Sequence, residues 1–397
     1  MGRTVLVNAG PWLAVPPPGY GGIENVLATL IPELRRSGHR VVLASVAESR
    51  IEVDRLIYVF ERGQFERLAE PYNRVVGLAQ AHLQRVIQEL RDAGDINVVH
   101  DHQEVLGAAM LANLEGGPPA LQTLHWDLAK HGPFYPNLDG RGRLFFNGVS
   151  RRQVEIAPLN LRRQTLAAIP LAVPVDEFPH ATPKGDYFAV VGRLTPEKGA
   201  DIAARICGQR GLELRMAGPV AGLGSREALA ARLGEPGGPW RRLRDVRYYL
   251  DMVSPLESER VRWIGTLEAP ALRRLVAGAR ATIFPIRWEE PGATAAIESL
   301  ACGTPIVALR RGALRDIVEH GVTGFLADDE AELAACLAHV HELDSAQCRR
   351  AAEERYSAPL MAERYIELYE EVIARASAAH PEDGLQHLAF AGGELGE

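Results

Sequence analysis

The sequence is poor in several features that define whole classes of protein. Its only cysteines, Cys207, Cys302, Cys336 and Cys348, do not stand at the short spacings that zinc knuckles or disulfide frameworks use. No apolar run approaches the roughly 18 to 20 residues that span a bilayer. The first ten residues lack the charged, apolar and cleavage segments of a signal peptide. We therefore expect a cytoplasmic protein with reduced thiols and no transmembrane segment.

An excess of positive charge is also absent. The 397 residues include 44 Lys and Arg against 51 Asp and Glu, which gives a formal net charge of -7 at pH 7. Because nucleic acid backbones are bound chiefly through clustered Lys and Arg, nucleic acid is not an expected partner. A hydrophobic content of 47% with 24% charged residues suits ordinary buried cores, and the length predicts two domains.

Short apolar runs alternate with helical patterns along the chain, which predicts doubly wound parallel sheets. The predicted strands of the first set are 4–7, 41–44, 98–100, 120–124 and 144–149, and those of the second set are 187–191, 212–216, 261–264, 281–284 and 305–308. The first predicted helix starts at Gly21-Gly22, and Gly38 stands where a left-handed C-terminal cap is expected. The predicted fold class is α/β with two Rossmann-like domains.

Prolines mark the predicted joint between the domains. Pro170 and Pro174 favour extended backbone in the residues before them, and so predict a stiff connector instead of a helix. We place the boundary near Pro179, with one domain over 1–178 and the other over 179–357.

Two segments do not follow the alternating pattern. Residues 222–245 are rich in Arg and Gly and are predicted to form a surface insertion. Residues 380–397 are polar with little periodicity and are predicted to be a loose tail.

Open parallel sheets bind ligands beyond the carboxyl ends of their strands. The loop after the first strand ends in Gly21-Gly22, where backbone amides can approach a phosphate at a helix N-terminus. It is not a dinucleotide fingerprint, because Glu24 stands where a third glycine is required. A plain turn with a helix cap is the alternative.

A second candidate loop follows the first strand of the second domain. Arg193 and Lys198 lie on either side of a turn that runs into a helix near Gly199. A guanidinium and an ammonium over a helix N-terminus can neutralise a diphosphate without a metal. The alternative is a turn with two ordinary solvated cations.

Two glutamates lie at the start of a later predicted helix. Glu290 precedes this helix, which is predicted over 293–301, and Glu298 lies within it among apolar residues. A purely structural carboxylate at Glu298 would need a buried partner, whereas ribose hydroxyls would satisfy it. Helix capping is the alternative role for Glu290.

Histidines lie at two strand ends of the first domain. His125 can hydrogen-bond a sugar and Trp126 can supply a stacking face, while a merely packed histidine is the alternative. His100 and His102 share one face of another strand end. Without a third ligand at fitting spacing, we expect no metal site there.

This ordered set of motifs resembles the retaining GT-B glycosyltransferases of glycosyltransferase family four. The resemblance covers residues 1 to about 375, and the combination is far more specific than any single motif. It is carried by Gly21-Gly22, Gly192-Arg193 with Lys198-Gly199, and Glu290 with seven residues before Glu298. The stretches 17–23 and 290–294 are also similar to transferases that modify bacterial natural products.

The resemblance implies a GT-B fold in which two Rossmann-like domains face a central cleft. The N-terminal domain would bind the acceptor and be completed by a C-terminal helix over 358–377, and the C-terminal domain would bind the sugar nucleotide.

The resemblance also implies roles for the motif residues. Arg193 and Lys198 would bind the donor diphosphate, Glu298 the ribose and Glu290 the donor sugar. His125 would lie at the anomeric centre, and the amide of Gly22 would contact phosphate. The family usually has an aromatic residue and a second glycine after its first Glu, whereas this chain has Pro291-Gly292-Ala293-Thr294. The predicted catalytic residues are His125, Glu290, Arg193 and Lys198; the predicted donor-binding residues are Gly21, Gly22, Arg193, Lys198, Glu290, Gly292, Ala293, Thr294 and Glu298; the predicted acceptor residues are Trp126 and Asp127.

The expected reaction moves a hexosyl unit from a nucleoside diphosphate sugar, with a UDP-sugar favoured, to a small-molecule or glycan hydroxyl with retention of anomeric configuration. No cofactor or metal is expected, and the chain has no Asp-x-Asp motif. A sugar phosphorylase of the same fold and an inactive sugar-nucleotide-binding protein are the alternatives. The sequence leaves the nucleotide base, the acceptor and the oligomeric state open.

Overall fold

The computed structural model describes residues 2–19, 21–235 and 237–381, and the chain divides into two compact units. Unit 1 comprises Met1–Leu171 and Ala358–Glu397, and unit 2 comprises Ala172–Ser357. Each unit is built on one parallel sheet, which confirms the predicted α/β class with two Rossmann-like domains. The predicted tail lies outside the described residues beyond Pro381.

The sheet of unit 1 has the order β3-β2-β1-β4-β5-β6-β7. Its strands are β1 Thr4–Asn8, β2 Arg40–Ser45, β3 Arg55–Tyr58, β4 Val98–Asp101, β5 Ala120–Leu124, β6 Leu144–Gly148 and β7 Thr165–Ala168. Its helices up to β7 are α1 Gly22–Arg36, α2 Tyr72–Asp92, α3 Val105–Leu111, α4 Arg151–Glu155 and α5 Leu159–Gln164. The strand order reverses direction after β3, so right-handed crossovers place helices on both faces of the sheet.

The sheet of unit 2 repeats this plan in the order β10-β9-β8-β11-β12-β13. Its strands are β8 Tyr187–Val191, β9 Glu213–Ala217, β10 Val261–Trp263, β11 Ala281–Phe284, β12 Ile306–Leu309 and β13 Gly324–Ala327. Its helices are α6 Ala200–Gln209, α7 Arg226–Leu233, α8 Arg244–Tyr248, α9 Ala269–Gly278, α10 Thr294–Ala301, α11 Leu314–Ile317, α12 Glu330–His339 and α13 Ser345–Arg355.

The last helix, α14 Ala358–Ala379, belongs to unit 1. The first boundary between the units lies at Leu171, before the predicted position near Pro179. The intervening residues bind unit 2: the amide of Val173 donates to the carbonyl of Tyr356, and the ring of Phe178 lies 4.4 Å from the guanidinium carbon of Arg273.

Local patterns explain where the elements match the sequence and where they do not. The end of α1 is as predicted, because Gly38 has a φ of 84° and lets the amide of His39 reach the carbonyl of Leu34. The edge strands β3, β7 and β13 were not predicted from the pattern. The predicted insertion 222–245 contains the helix α7 and the start of α8. Among the described residues, no helix has the length and apolar character needed to cross a membrane.

Candidate functional site

In unit 2, the loop after β8 contains the residues predicted to bind the diphosphate. Gly199 has a φ of 71°, and a Cβ there would stand 2.1 Å from the carbonyl oxygen of Pro285, so this position requires glycine. The helix α6 begins at the next residue, as predicted. Arg193 is exposed, and its guanidinium makes no hydrogen bond within the described residues. Its positive charge acts on the nearby carboxylate of Asp245, and a ligand anion would displace no hydrogen bond of the guanidinium.

Lys198 and Glu290 form an ion pair. The Lys198 Nζ donates to Glu290 Oε2 over 2.6 Å, and the Trp288 Nε1 donates to the same oxygen over 2.9 Å. The two charged side chains are 25% and 13% exposed. The residue predicted to bind the diphosphate, Lys198, is thus paired with the residue predicted to bind the sugar, Glu290. Glu290 Oε1 receives no hydrogen bond from the described chain.

The loop after β11 that holds Glu290 is fixed from both sides. The amide of Ala313, after β12, donates to the carbonyl of Glu290 over 2.8 Å. Arg287 binds Asp201 of α6 through two hydrogen bonds of 2.7 Å and 2.6 Å. Asp201 was not identified from the sequence, although its place in the first turn of α6 was the available signal. The loop is therefore held by the loop after β12 on one side and by helix α6 on the other.

The start of α10 brings together Gly292, Ala293 and Thr294. Ala293 is the N-cap residue and has a φ of 46°, in the left-handed region. The helix begins at Thr294, and its first amides lack acceptors within the helix. Glu290 does not cap this helix, because its side chain is bound to Lys198 and Trp288. The capping alternative for Glu290 is therefore wrong.

Glu298 lies within α10 and opposite α9. Burial raises the pKa of Glu298 to about 7, and the positive charge of Arg273 on α9 offsets part of this rise. Its carboxylate makes no hydrogen bond to any residue that the structure describes. This is the situation that the sequence predicts for a carboxylate whose partner is a ligand.

In unit 1, Gly21 and Gly22 form the start of α1. A Cβ on Gly21 would lie 2.7 Å from the ring of Pro17, whereas no described atom lies within 4 Å of a Cβ on Gly22. Gly21 is thus required by packing, and Gly22 is exposed. The buried carboxylate of Glu24, in the first turn of α1, accepts a hydrogen bond from its own backbone amide. The contact of the Gly22 amide with a phosphate stays a prediction.

His125 follows β5 and is half-buried. Its Nε2 lies 2.7 Å from Nδ1 of His102, and the two rings are stacked with their centroids 5.1 Å apart. Burial lowers the pKa of His125 to about 3. The ring is therefore neutral at ordinary pH and can act only through hydrogen bonds of an uncharged imidazole.

Two predicted acceptor residues have structural partners instead. Trp126 is 8% exposed, packs in the core of unit 1, and donates its Nε1 hydrogen to the hydroxyl of Tyr135. The ring therefore does not offer the predicted stacking face. Asp127 caps a short 3-10 turn by accepting from the amide of Ala129 over 2.9 Å.

His100 belongs to a buried polar network. Its Nδ1 lies 2.7 Å from the Tyr369 hydroxyl and its Nε2 lies 2.8 Å from Thr123 Oγ1. Both ring nitrogens are thus used within the protein. No group of three or more metal-ligating side chains occurs in the part of the chain that the structure describes.

Two family models match the chain in succession. Residues 20–163 match the model described as Glycosyltransferase Family 4, and residues 175–356 match the model described as Glycosyl transferases group 1. Among curated proteins, a D-inositol 3-phosphate glycosyltransferase of Thermobispora bispora is 32% identical over 204 residues, which is 48% of this chain and 44% of that protein. A glycogen synthase of Pseudomonas fluorescens is 30% identical over 201 residues, which is 48% of this chain and 34% of that protein. Each match spans less than half of the relative's length.

Solved structures match nearly the whole chain. AviGT4, a glycosyltransferase involved in avilamycin A biosynthesis, is 25% identical, with a TM-score of 0.61 over 94% of this chain and 98% of that one. Two matches under 25% identity show the fold alone. Sucrose-phosphate synthase from Thermosynechococcus elongatus is 18% identical with a TM-score of 0.68 over 94% and 99%. HepE from Anabaena, solved with UDP and glucose, is 15% identical with a TM-score of 0.63 over 93% and 100%.

Proposed function

Because the chain belongs to the two-domain GT-B glycosyltransferases of the family-four type, we propose that it transfers a hexosyl unit from a nucleoside diphosphate sugar to an acceptor hydroxyl with retention of anomeric configuration. A UDP-sugar is the favoured donor. HepE, which shares the fold, was solved with UDP and glucose, so UDP is the first nucleotide to test. AviGT4 supports a small-molecule acceptor of the natural-product type.

One observation carries the proposal. At the carboxyl edge of the unit 2 sheet, the guanidinium of Arg193 and the carboxylate of Glu298 have no hydrogen-bond partner among the described residues, although neighbouring charged groups are paired. A guanidinium without a hydrogen bond, in the loop before a helix, suits a diphosphate, and a half-buried carboxylate without a hydrogen bond suits the hydroxyls of a ribose. A sugar nucleotide contains both groups.

The reaction needs charge stabilisation more than a nucleophile from the protein. The bond between the anomeric carbon and the diphosphate oxygen breaks, and the bond to the acceptor oxygen forms on the same face. The acceptor proton passes to the departing phosphate, which Arg193 and Lys198 hold as an anion. We propose that this charge compensation requires no metal ion.

Glu290 is suited to binding the sugar. Its Oε2 accepts two hydrogen bonds, which stabilise the carboxylate and lower its nucleophilicity, while Oε1 can accept from a sugar hydroxyl. For unit 1 we propose the roles that the resemblance implies, with His125 serving the donor sugar and the Gly22 amide the phosphate.

A panel of nucleotides tests the proposal. Since a ligand that binds only the folded state raises apparent stability, UDP is expected to raise the melting temperature more than ADP or GDP. UDP-sugars are then incubated with phenolic and sugar acceptors, and the anomeric configuration of any product is read by NMR. Inverted product would contradict retention, and no stabilisation by any nucleoside diphosphate would contradict the sugar-nucleotide site.

The same panel separates the alternatives. A sugar phosphorylase would act on a disaccharide with inorganic phosphate and need no nucleotide. An inactive binding protein would be stabilised by UDP-sugars and yet release no UDP with any acceptor.

A further inference from the structure

The histidines at the ends of β4 and β5 differ in how completely their hydrogen bonds are satisfied. Around His100, every shared hydrogen can be placed. The Thr123 hydroxyl donates to Asn147 Oδ1, so Thr123 Oγ1 must accept from Nε2–H of His100. The remaining nitrogen of His100 then accepts from the Tyr369 hydroxyl. His100 is thus a fixed structural group with one defined tautomer.

His102 and His125 share a single hydrogen bond and leave two ring nitrogens over. The bond joins His102 Nδ1 to His125 Nε2 over 2.7 Å. His102 is 1% exposed, and its Nε2 is buried without a partner among the described residues. Nδ1 of His125 makes no hydrogen bond within the same residues and belongs to a half-buried side chain. The free nitrogen that a ligand can reach is therefore Nδ1 of His125.

Each ring carries one hydrogen, because both imidazoles are neutral. Burial lowers the pKa of His125 to about 3, and it lowers the pKa of His102 well below the usual value with further contributions from His100 and His125. Two arrangements of the shared hydrogen remain. Either His102 donates from Nδ1, or His125 donates from Nε2.

The buried nitrogen of His102 distinguishes the two arrangements. If His125 donated, Nε2 of His102 would carry a hydrogen with no acceptor in the protein interior. If His102 donates, its Nε2 is only an unused lone pair. Buried N–H groups without an acceptor are rarer in folded proteins than unused lone pairs, so the arrangement in which His102 donates is favoured.

We propose that His102 is a positioning residue that donates to Nε2 of His125 and so holds His125 in the tautomer with its hydrogen on Nδ1. His125 then presents an uncharged N–H donor at its reachable nitrogen. That this N–H group binds an oxygen of the sugar in the sugar nucleotide is an assignment that rests on the proposed function. An N–H at this position binds an oxygen lone pair and cannot accept the acceptor's proton, so His125 is not the base of the reaction.

Nitrogen NMR of the ligand-free protein tests the tautomer directly. The full chain is labelled with 15N-histidine, and the His125 signals are assigned by their loss in His125→Asn. We expect Nδ1 of His125 to be of the protonated, pyrrole type and Nε2 to be of the unprotonated, pyridine type. The opposite assignment in the wild-type protein would overturn the proposal.

Two variants of nearly equal shape test the positioning role. In His102→Asn, the amide nitrogen can occupy the place of Nδ1 and still donate to His125, whereas His102→Leu removes the donor. In transfer of glucose from UDP-glucose to the acceptor hydroxyl, we expect His102→Leu to release UDP about tenfold more slowly, with unchanged affinity for UDP itself, and His102→Asn to retain most of the rate. The pyrrole-type signal on Nδ1 should persist in His102→Asn and weaken in His102→Leu.

The outcomes separate this proposal from the proposed function. Equal rates in His102→Leu and the wild type would overturn the positioning role, as would a loss of rate in His102→Asn equal to that in His102→Leu. A wild-type protein that releases no UDP from UDP-glucose would contradict the choice of donor, and the nitrogen spectrum would still decide the tautomer. Melting temperatures of both variants show whether either change acts through folding.

Discussion

The two sheets share one strand order, with a seventh strand added in unit 1. The side chains at their carboxyl edges differ in charge and in hydrogen bonding. In unit 2, Arg193 and Glu298 keep charged groups without hydrogen-bond partners among the described residues. In unit 1, His100 and Tyr369 belong to a network in which buried polar groups bind one another. One edge keeps polar groups without hydrogen bonds from the described chain, and at the other edge most of the buried polar groups bind one another.

The difference follows from burial. Burial lowers the pKa of His82 to about 4 and of His125 to about 3, so the histidines of unit 1 are uncharged and need only hydrogen bonds. The guanidinium of Arg193 is exposed to solvent. The same fold therefore has uncharged, hydrogen-bonded histidines at one edge and an exposed cation at the other, so mutations at the two edges should affect different measurements.

The largest expected effect is on the charged edge. Arg193→Ala removes a charge-assisted contact to the diphosphate, and such contacts contribute about 1.5 to 3 kcal/mol, so UDP affinity should fall tenfold or more. Isothermal titration calorimetry with UDP measures this change. Arg210→Ala is the matched control, because this exposed arginine lies at the other end of α6. Equal affinities in the two variants would remove the main support for the site.

The neutral edge should respond in stability instead. Tyr365→Phe removes the hydroxyl that accepts from Asn147 and contacts Thr123, and leaves buried polar atoms without a partner. We expect a loss of about 1 to 2 kcal/mol in the free energy of unfolding, with UDP affinity unchanged. Chemical denaturation and calorimetry test the two halves of this expectation. A change in UDP affinity without a change in stability would break the comparison.

The sequence predicts the strands at the centres of the sheets better than those at the edges. Buried strands such as β1 and β8 are continuous apolar runs, which are recognisable without a partner. The edge strands β3 and β7 alternate less clearly and are defined by their neighbours. The predicted boundary near Pro179 differs from the division after Leu171, because prolines report backbone stiffness and do not report which unit a residue packs against.

The site residues divide in a similar way. The positions of Arg193 and Glu298 follow from local signals, a turn before a helix and a carboxylate among apolar residues, and their roles stay predictions. The burial of Trp126 was not predictable, because it depends on Tyr135 in a later turn. The pairing of His102 with His125 was also hidden, as it joins two strands whose contact only the sheet order reveals.

The two glutamates should differ on the charged edge itself. Glu298→Gln removes an ionised acceptor for the ribose, and we expect UDP binding to weaken by about 1 kcal/mol. Glu290→Gln leaves UDP affinity unchanged or tighter, because Lys198 loses its 2.6 Å ion-pair partner and becomes free for the diphosphate. Calorimetric titration with UDP compares them, and equal weakening would mean that the two roles are assigned wrongly.

The pH dependence of the same pair follows from Glu298. Its pKa is raised from 4.5 to about 7 in the folded protein. Between these values the folded chain keeps a proton that the unfolded chain has lost, so stability falls as the pH rises through this window. Glu298→Gln removes that loss and should raise the melting temperature at about pH 8 more than at about pH 5. The opposite trend would show that Glu298 is ionised in the folded state.

UDP should bind the ionised form of Glu298, because ribose hydroxyls donate hydrogen bonds to it. The affinity of the wild-type protein for UDP is therefore expected to rise as the pH increases through about 7. The affinity of Glu298→Gln should not show this rise. The phosphate of UDP titrates in the same way with both proteins, so the difference between their pH profiles reports on Glu298 alone. Parallel pH profiles of the two proteins would show that Glu298 does not contact the nucleotide.

The smallest expected effect concerns backbone strain on the charged edge. Ala293 and Ala221 both adopt the left-handed conformation, with φ values of 46° and 49°, and both lie in unit 2. This conformation costs an alanine roughly 1 to 2 kcal/mol, and the greater freedom of glycine in the unfolded chain offsets about 0.4 to 1 kcal/mol of any gain. Each change to glycine should therefore stabilise the fold by about 0.5 kcal/mol, measured by denaturation. Only Ala293 sets the start of α10, so Ala293→Gly should also lower the rate of UDP release from UDP-glucose if the strained turn orients the amides that face the donor. An unchanged rate in both variants would show that the strain at Ala293 has no role at the charged edge.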